Sequence, residues 1–275
     1  MSSKWLFPHA GKKNRIIIPV WREMDYMTNT KIYKTENIKK ENNNYIEKAE
    51  KLRNESAFQD AISFYLNAIL IDRKNPKSYY GLGICYKGIE NYDKAIKYFN
   101  EAAELDNYYY EAFYELGICY LLKGIPCGAI KNFIQAIQIN PDNPDAILQL
   151  GIAHEMCEEP DMALMIYQKL IENSPKYAKA YDHKSSLLMK MEKFQEASSI
   201  LNRLLKNNPN YTQAYAGIGI CFDKLGKNTE ALRYYKKFLS LQPFSKQAPL
   251  IKSRLDKIKI QRSKNVIKHG MTLIK

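Results

Sequence analysis

Residues 79–106 read YYGLGICYKGIENYDKAIKYFNEAAELD, and the fold prediction rests on the pattern in this stretch. The spacing i, i+3, i+4, i+7 from Tyr79 to Tyr86 predicts one apolar face of a first helix. A short turn follows, and Ala95 and Phe99 then lie on one face of a second helix. The stretch therefore predicts two amphipathic helices that pack against each other in antiparallel order.

The same pattern returns every 34 residues. Stepping by that interval gives alanine at six positions: Ala61, Ala95, Ala129, Ala163, Ala197 and Ala231. A second column contains a small residue in every repeat: Ala49, Gly83, Gly117, Gly151, Ser185 and Gly219. Small residues are needed where two helices cross closely, because a larger side chain would push the helices apart. The chain is therefore predicted to be an array of repeated helix pairs.

The stretch at 79–106 and AFYELGICYLLKGIPCGAIKNFIQAIQINPDNP at 112–144 resemble the tetratricopeptide repeat family. The resemblance covers about residues 45–245 and implies an all-α, right-handed superhelical solenoid of antiparallel helix pairs. We expect six repeats, at about 42–75, 76–109, 110–143, 144–177, 178–211 and 212–245. The chain departs from the family pattern mainly at Lys184 and Ser185, in the fifth repeat, and at the turn residues Pro126 and Pro160.

Two extensions flank the predicted array. Residues 1–44 lack helical periodicity and are rich in polar residues after Met24, so we expect a basic, largely disordered N-terminal arm. Residues 246–275 are expected to form a basic capping helix and tail that covers the last repeat. The apolar stripe of this helix consists of Leu250, Ile251, Leu255 and Ile258.

The net charge of +13 belongs to these extensions. Residues 1–44 carry nine basic and four acidic residues and residues 246–275 carry nine and one, whereas the repeats carry 24 of each. The candidates for binding nucleic acid or an anionic membrane are Lys252, Arg254, Lys257, Lys259, Arg262 and Lys264. The alternative is a basic cap without such a partner, because no aromatic platform accompanies the basic run.

The sequence contains no signature of catalysis. No Walker loop, dinucleotide fingerprint or HExxH motif occurs, and the four histidines lie far apart. We therefore expect a protein without enzymatic activity, bound cofactor or metal.

The cysteines inform the expected compartment. There are five of them (Cys85, Cys119, Cys127, Cys157 and Cys221), an odd number without a Cys-x-x-Cys pair, so neither a disulfide framework nor a zinc site is predicted. A reducing, cytoplasmic location fits best. The short apolar stretch before Pro19 does not match a secretory signal, while a transit peptide and a start at Met24 remain open.

The resemblance implies that the first helices line a concave groove that binds a partner. The residues predicted to line it are Tyr80, Ile84, Tyr114, Ile118, Leu121, Leu148, Ile152 and Ile220, and Leu122 extends the same surface. Exposed apolar patches are usually interaction sites, so we predict a protein scaffold that binds an amphipathic helix or an extended apolar peptide. The alternative is that these side chains are buried against neighbouring helices or covered by the N-terminal arm.

One subfamily of these repeats holds a partner's C-terminal carboxylate with a Lys and Asn clamp. The corresponding columns here contain Tyr80 and Ile84, or Tyr114 and Ile118, so that clamp is not expected. We expect the array to be monomeric, because the capping helix closes one end. The degenerate first repeat leaves self-association through the other end open.

Overall fold

A computed structural model describes the backbone of residues 20–272 and the side chains of residues 36–260. Within these residues the chain forms thirteen α-helices and no strand. The helices are α1 (Val20–Asn54), α2 (Phe58–Ile71), α3 (Pro76–Gly88), α4 (Tyr92–Leu105), α5 (Tyr110–Leu122), α6 (Pro126–Ile139), α7 (Pro144–Met156), α8 (Pro160–Asn173), α9 (Ala178–Lys190), α10 (Phe194–Asn207), α11 (Thr212–Lys224), α12 (Asn228–Leu241) and α13 (Ala248–Thr272). Helices α1 to α12 pack as six consecutive pairs, and each pair stacks on the next. This confirms the predicted all-α solenoid.

Each pair closes where a large side chain of the second helix meets a small residue of the first helix. A Cβ atom added at Gly83 would lie 2.6 Å from the ring of Phe99, and one added at Gly117 would lie 2.5 Å from the ring of Phe133. Both rings are fully buried. The glycine column is therefore a packing requirement, since the ring occupies the space that any side chain would need.

The fifth repeat keeps this packing with different residues. Ser185 replaces the glycine of the first helix, and its hydroxyl donates to the carbonyl oxygen of Asp182 at 3.1 Å. Leu201 stands where the other five repeats have an aromatic side chain, which we call the wedge, and it is buried as well. A smaller wedge leaves room for a larger partner, which explains why the departure at Ser185 does not disturb the fold.

Asparagine and proline residues define several helix starts. The side-chain oxygen of Asn75 accepts from the backbone N–H of Lys77 at 3.0 Å, and that of Asn143 accepts from Asp145 at 2.9 Å. Pro126 and Pro160 are the first residues of α6 and α8. Proline is well suited to the first helical position, where its missing N–H has no intrahelical partner. These two departures from the family pattern are therefore helix starts.

Helix α1 corrects the expectation for the N-terminal arm. Residues 20–44, predicted to be disordered, are helical and continue into the first repeat. Asn42, Ile46 and Ala49 are buried against the array, and residues 20–54 contain no proline or glycine. Once this buried end nucleates the helix, each preceding residue can add one backbone hydrogen bond. The remainder of the predicted arm, residues 1–19, lies outside the described residues.

Helix α13 packs on α12 at the other end of the array. Its residues Ile251, Leu255 and Ile258 are buried together with Tyr235 and Phe238 of α12. Leu250, which the sequence placed in the same stripe, is exposed. The buried stripe therefore follows the spacing i, i+4, i+7 from Ile251, and Leu250 lies beside it.

The cysteine prediction requires a correction, because Cys127 and Cys157 form a disulfide with their Cα atoms 5.8 Å apart. They lie 30 residues apart, in the first turn of α6 and at the C-terminal end of α7. The stacking of neighbouring repeats brings them together, so their spacing in the sequence carries no sign of the pairing. The bridge also removes the argument that the cysteines favour a reducing compartment.

The three remaining cysteines are free and buried. Burial raises the pKa of the thiols of Cys85 and Cys221 to about 11 and that of Cys119 to about 12. Since the thiolate is the reactive form, these three residues are expected to be unreactive in the folded protein.

Replacing the glycine at a helix crossing should destabilise the fold. We expect Gly117→Val to lower the free energy of unfolding by about 1–3 kcal/mol, because the added side chain must displace the ring of Phe133. Thermal unfolding followed by circular dichroism measures the effect. Ser186→Val places the same side chain at an exposed position of a first helix and should change stability by less than about 0.5 kcal/mol. Equal effects of the two variants would contradict the crossing requirement.

The disulfide predicts a definite thiol count. Denatured protein that has not been reduced should expose three reactive thiols, and reduction should increase the number to five. The bridge closes a loop of 30 residues, for which chain entropy predicts a stabilisation of about 3–4 kcal/mol, so reduction should lower the melting temperature. In Cys127→Ser the reductant should have no such effect. Five reactive thiols before reduction would show that the bridge does not form.

Candidate functional site

The residues predicted to line the groove lie on first helices α3, α5, α7 and α11. Most of them are half-buried and retain accessible surface, namely Tyr80, Ile84, Tyr114, Ile118, Leu121 and Ile152, and Ile220 is exposed. Each of these side chains therefore packs partly against the core and leaves part of its surface open to the solvent. We call this row of side chains the apolar wall.

The two groove tyrosines rest on the wedge aromatics of their own repeats. The ring centroid of Tyr80 lies 5.7 Å from that of Phe99 and 5.2 Å from that of Tyr109. Tyr114 makes the same kind of contact with Phe133, at 5.9 Å. These contacts hold the rings in fixed positions, so the surface they present is preorganised.

Leu148 differs from the other predicted groove residues. It is only 3% exposed and belongs to a core cluster with Tyr181 and Leu201, so it presents no surface to a partner. The partly buried Tyr177 packs against the same cluster, and its hydroxyl donates to Asp145 at 2.5 Å. The alternative of burial, left open by the sequence, is therefore correct for this residue.

Two exposed side chains extend the wall by one helical turn. Leu122 and Met156 are 52% and 47% exposed and stand at the ends of α5 and α7. Each follows an isoleucine, Ile118 or Ile152, by four residues and therefore lies on the same side of its helix. Met156 was not predicted, although the same i, i+4 step would have found it. We refer to one set of residues as the central apolar surface: Tyr114, Ile118, Leu121, Leu122, Ile152 and Met156.

Charged contacts connect the first helix of one repeat to the next. The Nζ atom of Lys87 donates to Glu115 at 2.5 Å, and that of Lys190 donates to Glu155 at 2.6 Å. These pairs join residues 28 and 35 positions apart, which lie in successive repeats. They bind neighbouring first helices together beside the apolar wall.

Two of the wedge tyrosines also take part in this polar layer. The hydroxyl of Tyr167 donates to Glu155 at 3.3 Å, and that of Tyr235 donates to Asp223 at 3.2 Å. Burial raises the pKa of both tyrosines, and the neighbouring carboxylates raise it further. The hydroxyls are therefore firmly protonated donors at neutral pH.

The predicted anion-binding residues are only partly available. The guanidinium of Arg254 is bound by Asp223, with one nitrogen 2.8 Å from Oδ1, and Lys259 pairs with Asp256 at 3.1 Å. Arg254 is therefore a structural residue of the cap, because the carboxylate of Asp223 is almost fully buried and needs a cation. Lys252 and Lys257 are exposed, while the side chains of Arg262 and Lys264 lie outside those described.

Two kinds of site are absent from the described part of the chain. It contains no helix with both the length and the apolar character needed to cross a bilayer. Nor do its histidine, cysteine and acidic side chains form any group of three or more that could hold a metal ion.

Two family models match the chain. The model of the tetratricopeptide repeat matches residues 76–109, and that of the coatomer epsilon subunit matches residues 145–259. The first match coincides with the second predicted repeat. No curated protein sequence matches the chain.

Several solved structures share its architecture. YrrB, described as a TPR protein with an unusual peptide-binding site, is 22% identical, with a TM-score of 0.54 over 69% of this chain and 97% of its own. MamA is 25% identical, with a TM-score of 0.55 over 63% of this chain and 94% of its own. PilF from Pseudomonas aeruginosa is 13% identical, with a TM-score of 0.60 over 79% of this chain and 99% of its own.

The structural role of Arg254 can be tested by truncation. We expect Arg254→Ala to lower the free energy of unfolding by about 1–3 kcal/mol, because the buried Asp223 would then keep, among the described residues, only the hydroxyl of Tyr235 as a partner. Lys257→Ala removes a cation of the same helix that is exposed, and it should be close to neutral. Chemical denaturation of both variants measures the difference, and equal stability would show that the ion pair contributes nothing.

Proposed function

Because the chain is a tetratricopeptide repeat protein, we propose that it is a non-enzymatic scaffold that binds an apolar segment of a partner protein along its first helices. Proteins of this repeat class are generally non-catalytic scaffolds for protein–protein interaction. The finer proposal is that the partner segment, an amphipathic helix or an extended peptide, lies on the central apolar surface.

The strongest support is that the exposed extension of this surface, Leu122 and Met156, is confined to repeats three and four. The column that holds Leu122 and Met156 contains Gly88 in the second repeat and Lys190 and Lys224 in the fifth and sixth. A position that needed an apolar side chain for packing would have one in every repeat. The exposed Leu122 and Met156 are therefore not required by the fold, and a contiguous exposed apolar surface of this kind is typical of an interaction site.

The chemistry of the surface favours a partner segment with basic margins. Residues 110–177 carry nine acidic and four basic residues, a net charge of −5. A complementary charge guides the encounter and orientation of a partner, so this net charge favours a segment that carries Lys or Arg next to its apolar residues. Met156 adds an adaptable side chain that can accommodate more than one apolar shape.

The likeness to YrrB supports the fold of such a site without supplying its residues. That protein is described as having a peptide-binding site, and its identity to this chain is 22%. At this level of identity the shared architecture is informative and individual side chains are not. The proposal therefore depends on Leu122, Met156 and their neighbours in this chain.

Charge insertion at the exposed residues tests the proposal without disturbing the core. We expect the double variant Leu122→Glu, Met156→Glu to lose the partner that the wild-type protein captures from its native cells, because a carboxylate cannot be buried against an apolar segment. Affinity capture followed by mass spectrometry measures the loss.

Leu70→Glu is the matched control, because Leu70 is 70% exposed on the second helix α2, away from the proposed surface. This variant should capture the same partner as the wild type. Circular dichroism should show all three proteins to be equally helical. Full recovery of the partner by the folded double variant would refute binding at the central apolar surface.

A further inference from the structure

Three repeats have a tyrosine at the same position of the second helix: Tyr65, Tyr167 and Tyr235. The residue that precedes each tyrosine by twelve positions stands in the first helix of the same repeat. In the fourth and sixth repeats that residue is an acid, Glu155 or Asp223, and it accepts a hydrogen bond from the tyrosine hydroxyl. In the first repeat it is Arg53, which offers no acceptor. The first repeat therefore has a cation at the position where the fourth and sixth repeats have a hydrogen-bond acceptor.

The hydroxyl of Tyr65 is buried without a partner. Tyr65 is 1% exposed, and its hydroxyl oxygen makes no hydrogen bond to any described residue. A Cβ atom added at Gly81 would lie 2.6 Å from that oxygen, so the hydroxyl is held against the backbone of α3. Leaving a buried donor unpaired is unfavourable, and the equivalent hydroxyls of Tyr167 and Tyr235 avoid it.

Arg53 provides an uncompensated cation at the same place. It is half-buried in the last turn of α1 and forms no ion pair with a carboxylate of the described residues. Burial raises the pKa of Tyr65, Cys85 and Tyr109, and the Arg53 cation lowers each of them again. Arg53 also stands at the helix position from which Glu155 and Asp223 reach the tyrosine hydroxyls of their repeats, so the shared backbone geometry places its side chain beside Tyr65.

The equivalent sites show what this arrangement lacks. Glu155 accepts from Tyr167 and also binds a base of the next repeat, Lys190. Asp223 accepts from Tyr235 and binds Arg254 of the capping helix. In each case one carboxylate joins a buried hydroxyl to a cation. The first repeat has the hydroxyl and the cation, and among its described residues no carboxylate joins them.

We propose that Arg53 and Tyr65 form a binding site for a carboxylate carried by the partner segment, at the end of the array formed by repeats one and two. The carboxylate would accept a hydrogen bond from the Tyr65 hydroxyl and pair with Arg53, as Glu155 and Asp223 do in their own repeats. Because the hydroxyl of Tyr65 is buried, entry of the carboxylate requires neighbouring side chains to change rotamer. The inference rests on the proposed function, because the bound segment carries the carboxylate.

The surroundings favour a carboxylate with an apolar neighbour over a phosphate. Glu50 lies one helical turn before Arg53, and Glu111 is close enough to raise the pKa of Tyr80 and Tyr109. These acids would repel a doubly charged phosphate more strongly than a singly charged carboxylate. Tyr80, which the charge of Arg53 also reaches, offers an apolar contact beside the site. The site differs from the Lys and Asn clamp of the family, which would use the columns of Tyr80 and Ile84.

A matched pair of small probes tests the site on the full-length protein. N-acetyl-leucine carries a carboxylate beside an apolar side chain, and N-acetyl-leucinamide is its neutral counterpart. In two-dimensional NMR spectra of ¹⁵N-labelled protein, N-acetyl-leucine should shift the side-chain signal of Arg53 and the backbone signals around Tyr65. The amide should shift neither. Equal binding of the two probes, or tighter binding of inorganic phosphate at the same signals, would overturn the proposal.

Substitutions test whether Arg53 and Tyr65 bind the probe specifically or whether any nearby cation attracts it. Arg53→Gln should weaken binding of N-acetyl-leucine about tenfold or more, which is the size expected for losing a hydrogen bond to a charged group. Tyr65→Phe should also weaken it about tenfold, because its hydroxyl would donate to the same charged carboxylate. Lys51→Gln removes an exposed cation of the same helix turn and should leave the affinity unchanged. Unchanged binding by Arg53→Gln, or an equal loss in Lys51→Gln, would refute the site.

Stability without any probe tests the premise independently. Tyr65→Phe should leave the melting temperature unchanged or raise it, because an unpaired buried hydroxyl is removed. Tyr235→Phe should lower the melting temperature, since its hydroxyl is bonded to Asp223. A loss as large in Tyr65→Phe would show that the hydroxyl already has a partner, and the proposal would fail.

The two proposals fail in distinguishable ways. The double variant at Leu122 and Met156 should still bind N-acetyl-leucine, because both residues lie in repeats three and four. A failure of the proposed function would thus appear as retained partner capture in that variant. A failure of the carboxylate site would appear as unchanged binding of the probe in Arg53→Gln.

Discussion

The close crossing of two helices within each repeat is the contact on which the rest of the structure depends. A side chain of the second helix fills the space above a residue that has almost no side chain, as Phe99 does at Gly83 and Phe133 at Gly117. This interlock sets the distance between the helices, and the distance sets where the next pair can stack. The fifth repeat obeys the same constraint with Ser185 and Leu201, so what is preserved is the combined volume of the pair and not the residue type.

A polar layer lies on this packing and connects one repeat to the next. Acids on first helices bind tyrosine hydroxyls of their own repeat and cations of the following one, as Glu155 does with Tyr167 and Lys190. The layer matters for function because it distinguishes charged side chains that are paired within the array from those that are not. Arg254 is paired with Asp223 and stabilises the cap, although it lies in the densest basic run of the chain. Arg53 has no such acid among the described residues, and for this reason we propose it as a binding residue for a ligand carboxylate.

The apolar surface proposed for the partner is also a product of differences between repeats. A column that is apolar throughout is explained by packing, whereas Leu122 and Met156 stand where the other repeats have asparagine, glycine or lysine. The same comparison singled out Arg53, which stands where the two other repeats with a tyrosine wedge have an acid. In a repeat protein, equivalent positions of the repeats can be compared with one another. A residue that differs from its equivalents without a packing reason is a candidate for function.

Much of this architecture could be predicted from the sequence, because the constraints that produce it are local. The period of 34 residues, the helix pairs and the small-residue column depend on side chains within one repeat and its neighbour. Most of the groove columns followed from the same spacing, and Met156 needed only one more helical turn. Other features depended on residues that are distant in the chain and adjacent in space. Stacking of neighbouring repeats buried Leu148 and joined Cys127 to Cys157, and packing of the capping helix on the last repeat paired Arg254 with Asp223. A linear pattern shows which side of a helix a residue occupies, and only the packed array decides what covers that side.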